Sequence, residues 1–182
     1  MKTENTVMYV LRLSLTLLVI AGVVAAVLAG VNMVTGPMIE KLNAEKTQAA
    51  IEAVLPGGGD PVAYTDSTGM VKAVYASNTG YAVQVTPSGF GGVIDMMVGV
   101  DQDGKVLAIS IISQTETAGL GAVAAATTSA GEAFRGQFSG TGGSVAVSKD
   151  GGTLDAITGA TITSRAVCAG VNAALDCVGN LG

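Results

Sequence analysis

The sequence predicts an α+β protein in which one N-terminal transmembrane helix precedes a mostly antiparallel α+β domain. Three observations carry this prediction. A long uncharged apolar run lies near the N-terminus, short β-branched stretches bounded by turn residues follow it, and helical periodicity returns only around those stretches. The chain has 182 residues, of which 49% are hydrophobic. That is enough for one domain with a real core plus a membrane segment, and too little for two large domains.

From Leu13 to Ile39 no residue carries a charge, a run longer than the roughly 20 residues an α-helix needs to cross the hydrocarbon core. A transmembrane helix is expected over residues 13–35, after a short N-terminal segment, residues 1–12. A cleaved signal peptide is the alternative, with Val27-Leu28-Ala29 as a peptidase site, although an ordinary signal core is only about 7–15 residues long. A lipoprotein anchor is not expected, because no cysteine follows the apolar run until Cys168. Lys2 and Arg12 precede the span with only Glu4 against them, and the charge leans toward a cytoplasmic N-terminus; Lys41 and Lys46 on the far side work against it. Thr35-Gly36-Pro37 reads as a helix breaker. After it Met38, Ile39, Leu42, Ala49, Ala50, Ala53 and Val54 fall at helical spacing. Residues 36–56 are therefore expected as a membrane-proximal helix and linker, and residues 57–182 as the main domain.

Within that domain, strands are expected around Val62–Tyr64, Val71–Ala76, Tyr81–Val85, Val93–Val100, Val106–Ile112 and Ser144–Val147. Their separators, Asp66-Ser67-Thr68-Gly69, Thr79-Gly80, Asp101-Gln102-Asp103-Gly104 and Asp150-Gly151-Gly152, have turn chemistry. Helices are expected around Ala122–Phe134 and from Thr163 to the C-terminus. In the latter Ala166, Val167, Val171, Ala174, Leu175 and Val178 share helical spacing, with Thr163 or Ser164 as N-cap.

Composition removes several functions. The chain has no histidine, so a Ser-His-Asp arrangement, an HExxH zinc site and histidine-ligated haem are all unavailable. Asp101-x-Asp103-Gly104 begins like a calcium loop, but its twelfth position is Ile112 and its glycine is misplaced, which leaves a hairpin turn. Cys168 and Cys177 fall on opposite faces of the expected C-terminal helix, about 13 Å apart along its axis, and read as buried small hydrophobes. A net charge of −5 argues against a nucleic-acid partner.

The candidate site is the run from Asp155 to Ser164, DAITGATITS, which holds Thr158-Gly159-Ala160-Thr161 just ahead of a helix. An anion held at this turn would meet the unpaired amides and positive dipole end of that helix without needing a basic side chain. Gly159 and Ala160 keep the approach uncrowded. Read alone, the tetrapeptide is equally a small-residue turn with capping hydroxyls. Two further runs, GFGGVIDMMVGVD from Gly89 and SQTETAGLGA from Ser113, precede it. Gly119-Leu120-Gly121-Ala122-Val123-Ala124, which starts within the second run, formally fits a G-x-G-x-x-A dinucleotide fingerprint, but the polar residues Gln114–Thr117 separate it from the preceding strand and the repeated strand–helix units are missing.

DAITGATITS resembles the flavinylation motif of the FMN-binding domain family, and the three runs, in this order behind an anchor, are similar to the G subunits of Rnf complexes. The resemblance covers nearly the whole chain, with Ala118 standing where a proline is common. It implies an extracytoplasmic FMN-binding domain held at the cell membrane, with covalent FMN on Thr161 through a phosphoester and Asp155 assisting a flavin transferase. Thr158, Gly159, Ala160, Thr163 and Ser164 then surround the attachment point. Glu116, Thr117, Gly119, Leu120 and Gly121 are expected to line the flavin cleft. It further implies an electron carrier without a general acid or base of its own, in a complex that couples ferredoxin and NAD to ion transport. The implied partners are the A, D and E subunits in the membrane and the B and C subunits on the cytoplasmic side. Two redox alternatives are the C subunit of a sodium-pumping NADH:quinone reductase and a free-standing FMN carrier. The alternative from another class is a membrane-tethered scaffold or binding module without cofactor.

Overall fold

The computed structural model describes residues 2–64 and 69–181. Of the turn expected at Asp66-Ser67-Thr68-Gly69, only Gly69 lies within the described residues. The chain divides into two compact units, the first ending at Glu45 and the second beginning at Lys46.

Helix α1 runs from Lys2 to Val54 with Pro37 inside it. The break expected at Thr35-Gly36-Pro37 is thus not an interruption of secondary structure. Proline removes one donor and crowds one carbonyl, and the helix continues across that local loss into the residues Met38–Glu45. Thr35 Oγ1 donates to the Val31 carbonyl at 2.9 Å. From Met8 onward the large apolar side chains of the first unit are exposed: Leu11, Leu18 and Leu28 are 64, 69 and 63% exposed. Among the described residues this is the one helix long and apolar enough to cross a membrane, with a mean hydropathy of 2.5 in its most apolar window.

The second unit is built on a five-stranded antiparallel sheet in sequential order: β1 (Asp60–Val62), β2 (Val71–Ser77), β3 (Gly80–Val85), β4 (Asp95–Asp101) and β5 (Val106–Ser113). Four of its five strands lie within a residue or two of the expected positions, and β1 begins two residues early. Asp101 Oδ1 accepts from the amides of Asp103 at 3.0 Å and Lys105 at 2.8 Å, so the acidic run closes the β4–β5 hairpin. The 3-10 helix Gly121–Ala125, helix α2 (Ser129–Gly136) and helix α3 (Thr161–Gly179) follow.

The central strands are covered on both faces. Val83, Val85, Met96, Val98 and Val100 pack with Phe134, Phe138, Val167, Val171 and Ala174 in the main core. On the other face Ala82 and Met97 pack under Ala50, Ile51, Val54 and Leu55 from the end of α1. Gly99 permits this approach, because a Cβ there would run into the Val54 carbonyl.

Two expected elements take another form. The single helix over Ala122–Phe134 is split, because Ala126 is extended and Thr128 caps a new helix through Gly131 N–H. Arg135 Nη1 holds the carbonyls of Ala124 and Ala126 across the gap, at 2.7 and 2.9 Å. The strand expected at Ser144–Val147 does not form. The Asn172 side chain on α3 takes both backbone groups of Val145, at 2.8 and 2.9 Å, in place of a neighbouring strand.

Candidate functional site

Four segments converge at one end of the sheet. They are the β3–β4 connection around Phe90, the loop after β5 from Gln114 to Gly121, the 3-10 turn Ser148–Asp150, and the start of α3. Between them lies a half-open cleft of ≈ 380 Å³.

The floor is organised by Glu116, which is 8% exposed. Its Oε1 accepts the Gly91 amide at 2.8 Å, and its Oε2 accepts the Thr163 hydroxyl at 2.5 Å. Thr115 Oγ1 adds a bond to the Gly91 carbonyl at 3.1 Å. The neighbouring glycines follow from this crowding. A Cβ on Gly89 would strike Glu116 Oε1, and one on Gly121 would come within 2.5 Å of both Glu116 Oε2 and Thr163 Oγ1.

The wall at α3 begins with Thr161 as the first helical residue. Ala160 is the N-cap and supplies no side-chain acceptor, so the first-turn amides face outward for an external acceptor. Thr163 and Ser164 are not N-caps as the sequence suggested, because the helix starts ahead of them. Both are buried. Ser164 Oγ donates to the Ala160 carbonyl and accepts the Ile157 amide, each at 3.0 Å, which stiffens the turn that carries Thr158 to Ala160. Gly159 has φ +76°, left-handed backbone that suits glycine.

Opposite Thr161 stands Lys149, with Nζ 3.4 Å from Thr161 Oγ1. Its short turn is tied to α3 by a bidentate pair in which Arg165 Nε and Nη2 donate to Asp150 at 2.7 and 2.6 Å. Those hydrogen bonds hold the Asp150 carboxyl below the usual carboxylate range and push the Arg165 guanidinium up.

Of the residues the sequence singled out, Glu116, Thr117, Leu120, Gly121, Gly159, Ala160, Thr161 and Thr163 line this cleft. Asp155, Thr158 and Gly119 line a second cavity of ≈ 560 Å³ beside it, formed with Val123, Phe134 and Gln137. Phe90, Lys149 and Ile162 also line the cleft, and sequence reasoning missed them. Phe90 carried a readable signal, an aromatic residue between glycines in a chain with 4% aromatics. Lys149 carried none, since long-range pairing brings it to Thr161.

The residues present suit a flavin mononucleotide. Phe90, Leu120 and Ile162 are 70, 43 and 51% exposed, and they give a flat apolar ring a surface to lie against. Thr161, Lys149 and the start of α3 form an end for a phosphate.

Comparison with known proteins agrees with this chemistry. Residues 89–176 match the FMN-binding domain family. The chain is 34% identical to the G subunit of the Na(+)-translocating ferredoxin:NAD(+) oxidoreductase complex of Acetobacterium woodii, over 94% of this chain and 93% of the relative. It is 31% identical to the G subunit of the ion-translocating oxidoreductase complex of Methanosarcina acetivorans, over 92% and 93%. It is 43% identical to the G subunit of the proton-translocating ferredoxin:NAD(+) oxidoreductase complex of Clostridium ljungdahlii, over 53% and 51%. A long apolar helix ahead of an antiparallel domain with an FMN-type cleft, and relatives matched almost end to end, lead to one conclusion: the chain belongs to the family of G subunits of ion-translocating (Rnf) oxidoreductase complexes.

Proposed function

We propose that this chain is the electron-carrying subunit of a membrane ion-translocating ferredoxin:NAD oxidoreductase complex, relaying electrons through FMN joined to Thr161 by a phosphoester. The observation that carries this reading is the state of the motif's hydroxyls. Thr158 is exposed on the second cavity, Thr163 is committed to Glu116, and Ser164 is buried in the turn. Thr161 alone presents its hydroxyl to the cleft beside a cation.

Bound there, the flavin would supply one- and two-electron chemistry through its ring, which phosphate linkage leaves unaltered. The chain's own residues bind and orient it. The apolar rim of Phe90, Leu120 and Ile162 would shield the bound ring from water, and Glu116 fixes the Phe90 turn against α3. Helix α1 acts as the membrane anchor, with residues 1–12 cytoplasmic and the FMN domain on the extracytoplasmic side. Anchoring raises the effective concentration of the flavin at the A, D and E subunits in the membrane, while the B and C subunits act on the cytoplasmic side. Asp155, on its separate cavity, is available to the flavin transferase.

Membranes that contain the assembled complex provide the test. Thr161→Ala should leave the complex assembled and abolish electron transfer from reduced ferredoxin to NAD. Full transfer in that variant would contradict this role.

A further inference from the structure

The residue that stands out here lies outside the sequence motif. Lys149 is exposed, packs into no core, and approaches the one hydroxyl of the motif that faces the cleft. Its position is not incidental. Val147 pairs with Leu154, Ser148 N–H donates to the Leu154 carbonyl at 2.7 Å, and Gly152 sits so tightly on the Ala146 backbone that a Cβ would not fit. The Asp150–Arg165 pair then fastens this loop to α3. Two independent devices therefore aim a single ammonium group at Thr161.

We propose that Lys149 assists the covalent attachment at Thr161, stabilising the negative charge on the phosphoryl group as the ester forms. This rests on the reading of Thr161 as the flavin attachment point. A phosphate monoester would have to expel water, so the donor is a flavin dinucleotide, which carries the FMN phosphoryl as an anhydride. In the step, the Thr161 Oγ–H bond breaks and its proton passes to a base of the transferase. An Oγ–P bond forms, the anhydride P–O bond breaks, and a nucleoside monophosphate leaves with the electron pair; nothing is oxidised or reduced. Charge builds on the non-bridging oxygens, two bonds out from Oγ through phosphorus, within reach of an ammonium held 3.4 Å from Oγ. After reaction the phosphodiester keeps one negative charge, and Lys149 remains its counter-charge. The same contact contributes to site selection, since no comparable cation stands at the hydroxyls of Thr158, Thr163 or Ser164 among the described residues.

The test uses the full chain in detergent, purified flavin transferase and FAD, with FMN incorporation followed by intact mass over time. Lys149→Ala should slow incorporation at least tenfold at saturating chain and FAD, with KM for the chain unchanged, and Lys149→Arg should stay within about threefold of wild type. Unchanged melting of Lys149→Ala checks that the fold is intact. Incorporation by Lys149→Ala at the wild-type rate overturns the proposal. So does a loss that falls only on KM for the chain, which marks a docking residue, or a Lys149→Arg chain as slow as Lys149→Ala. If the wild-type chain takes up no flavin while a known substrate of the same transferase does, the attachment reading itself fails, and that outcome is distinct from the others.

Discussion

The Thr163 hydroxyl donates to the buried carboxylate of Glu116 at 2.5 Å, joining residues 47 positions apart in the chain. The other carboxylate oxygen holds the Gly91 amide, so one side chain fixes three segments of the cleft. Glu116→Ala strands a buried hydroxyl and an amide, which costs roughly 2–4 kcal/mol. Glu116→Gln keeps an acceptor for Gly91 and should cost less. Denaturant unfolding of both variants measures this, and an alanine cost below about 1 kcal/mol would mean the network is not what holds the cleft.

The glycines around that carboxylate should be irreplaceable where they touch it. Gly121→Ala forces a Cβ against Glu116 and Thr163 and should destabilise by about 1–3 kcal/mol. Gly136→Ala, at the end of α2 with nothing within 4 Å of the new carbon, should be neutral or slightly stabilising. Equal melting losses in the two variants would show that the crowding is not the cause.

The last turns of α1 belong to the domain, not only to the anchor. A chain starting at Lys46 keeps Ile51, Val54 and Leu55 over Ala82 and Met97 and should be water-soluble and fold cooperatively. A chain starting at Gly57 loses that cover and should melt lower or aggregate. Ile51→Ala alone should cost about 2–4 kcal/mol. Indistinguishable melting of the two truncations would contradict this packing.

Burial pushes the Cys168 thiol up to about 11. Because the folded value is raised, the unreactive thiol persists through neutral and mildly alkaline pH, and thiolate appears only as pH nears that value. Cys177 is 1% exposed. Both cysteines should therefore resist a thiol reagent at pH 8 in the folded protein and react promptly once it is unfolded. Rapid native labelling of Cys168 would contradict the burial.

Much of this was legible because it is local. The apolar run to Ile39 and the β-branched stretches of β2 to β5 carry their own periodicity and turn chemistry, and Thr161 sits in a recognisable run. Other features depend on distant partners. Ser144–Val147 has strand composition, yet Asn172 satisfies Val145 and removes the need for a strand. Pro37 signals a break, yet α1 continues through it to Val54. Thr163 and Ser164 look like caps, but α3 starts at Thr161 and turns both hydroxyls inward. Lys149 reads as an ordinary surface lysine until the Asp150–Arg165 pair brings its turn onto α3.

Locating the flavin on the chain decides whether Thr161 is the attachment point. Trypsin cleavage after Lys149 and Arg165 yields a single peptide that carries Thr153, Thr158, Thr161, Thr163 and Ser164. Fragmentation mass spectrometry of that peptide, after coexpression with a flavin transferase, distinguishes these hydroxyls. The FMN mass is expected on Thr161, lost in Thr161→Ala and retained in Thr158→Ala. FMN on any other residue, or its persistence in Thr161→Ala, would contradict the assignment.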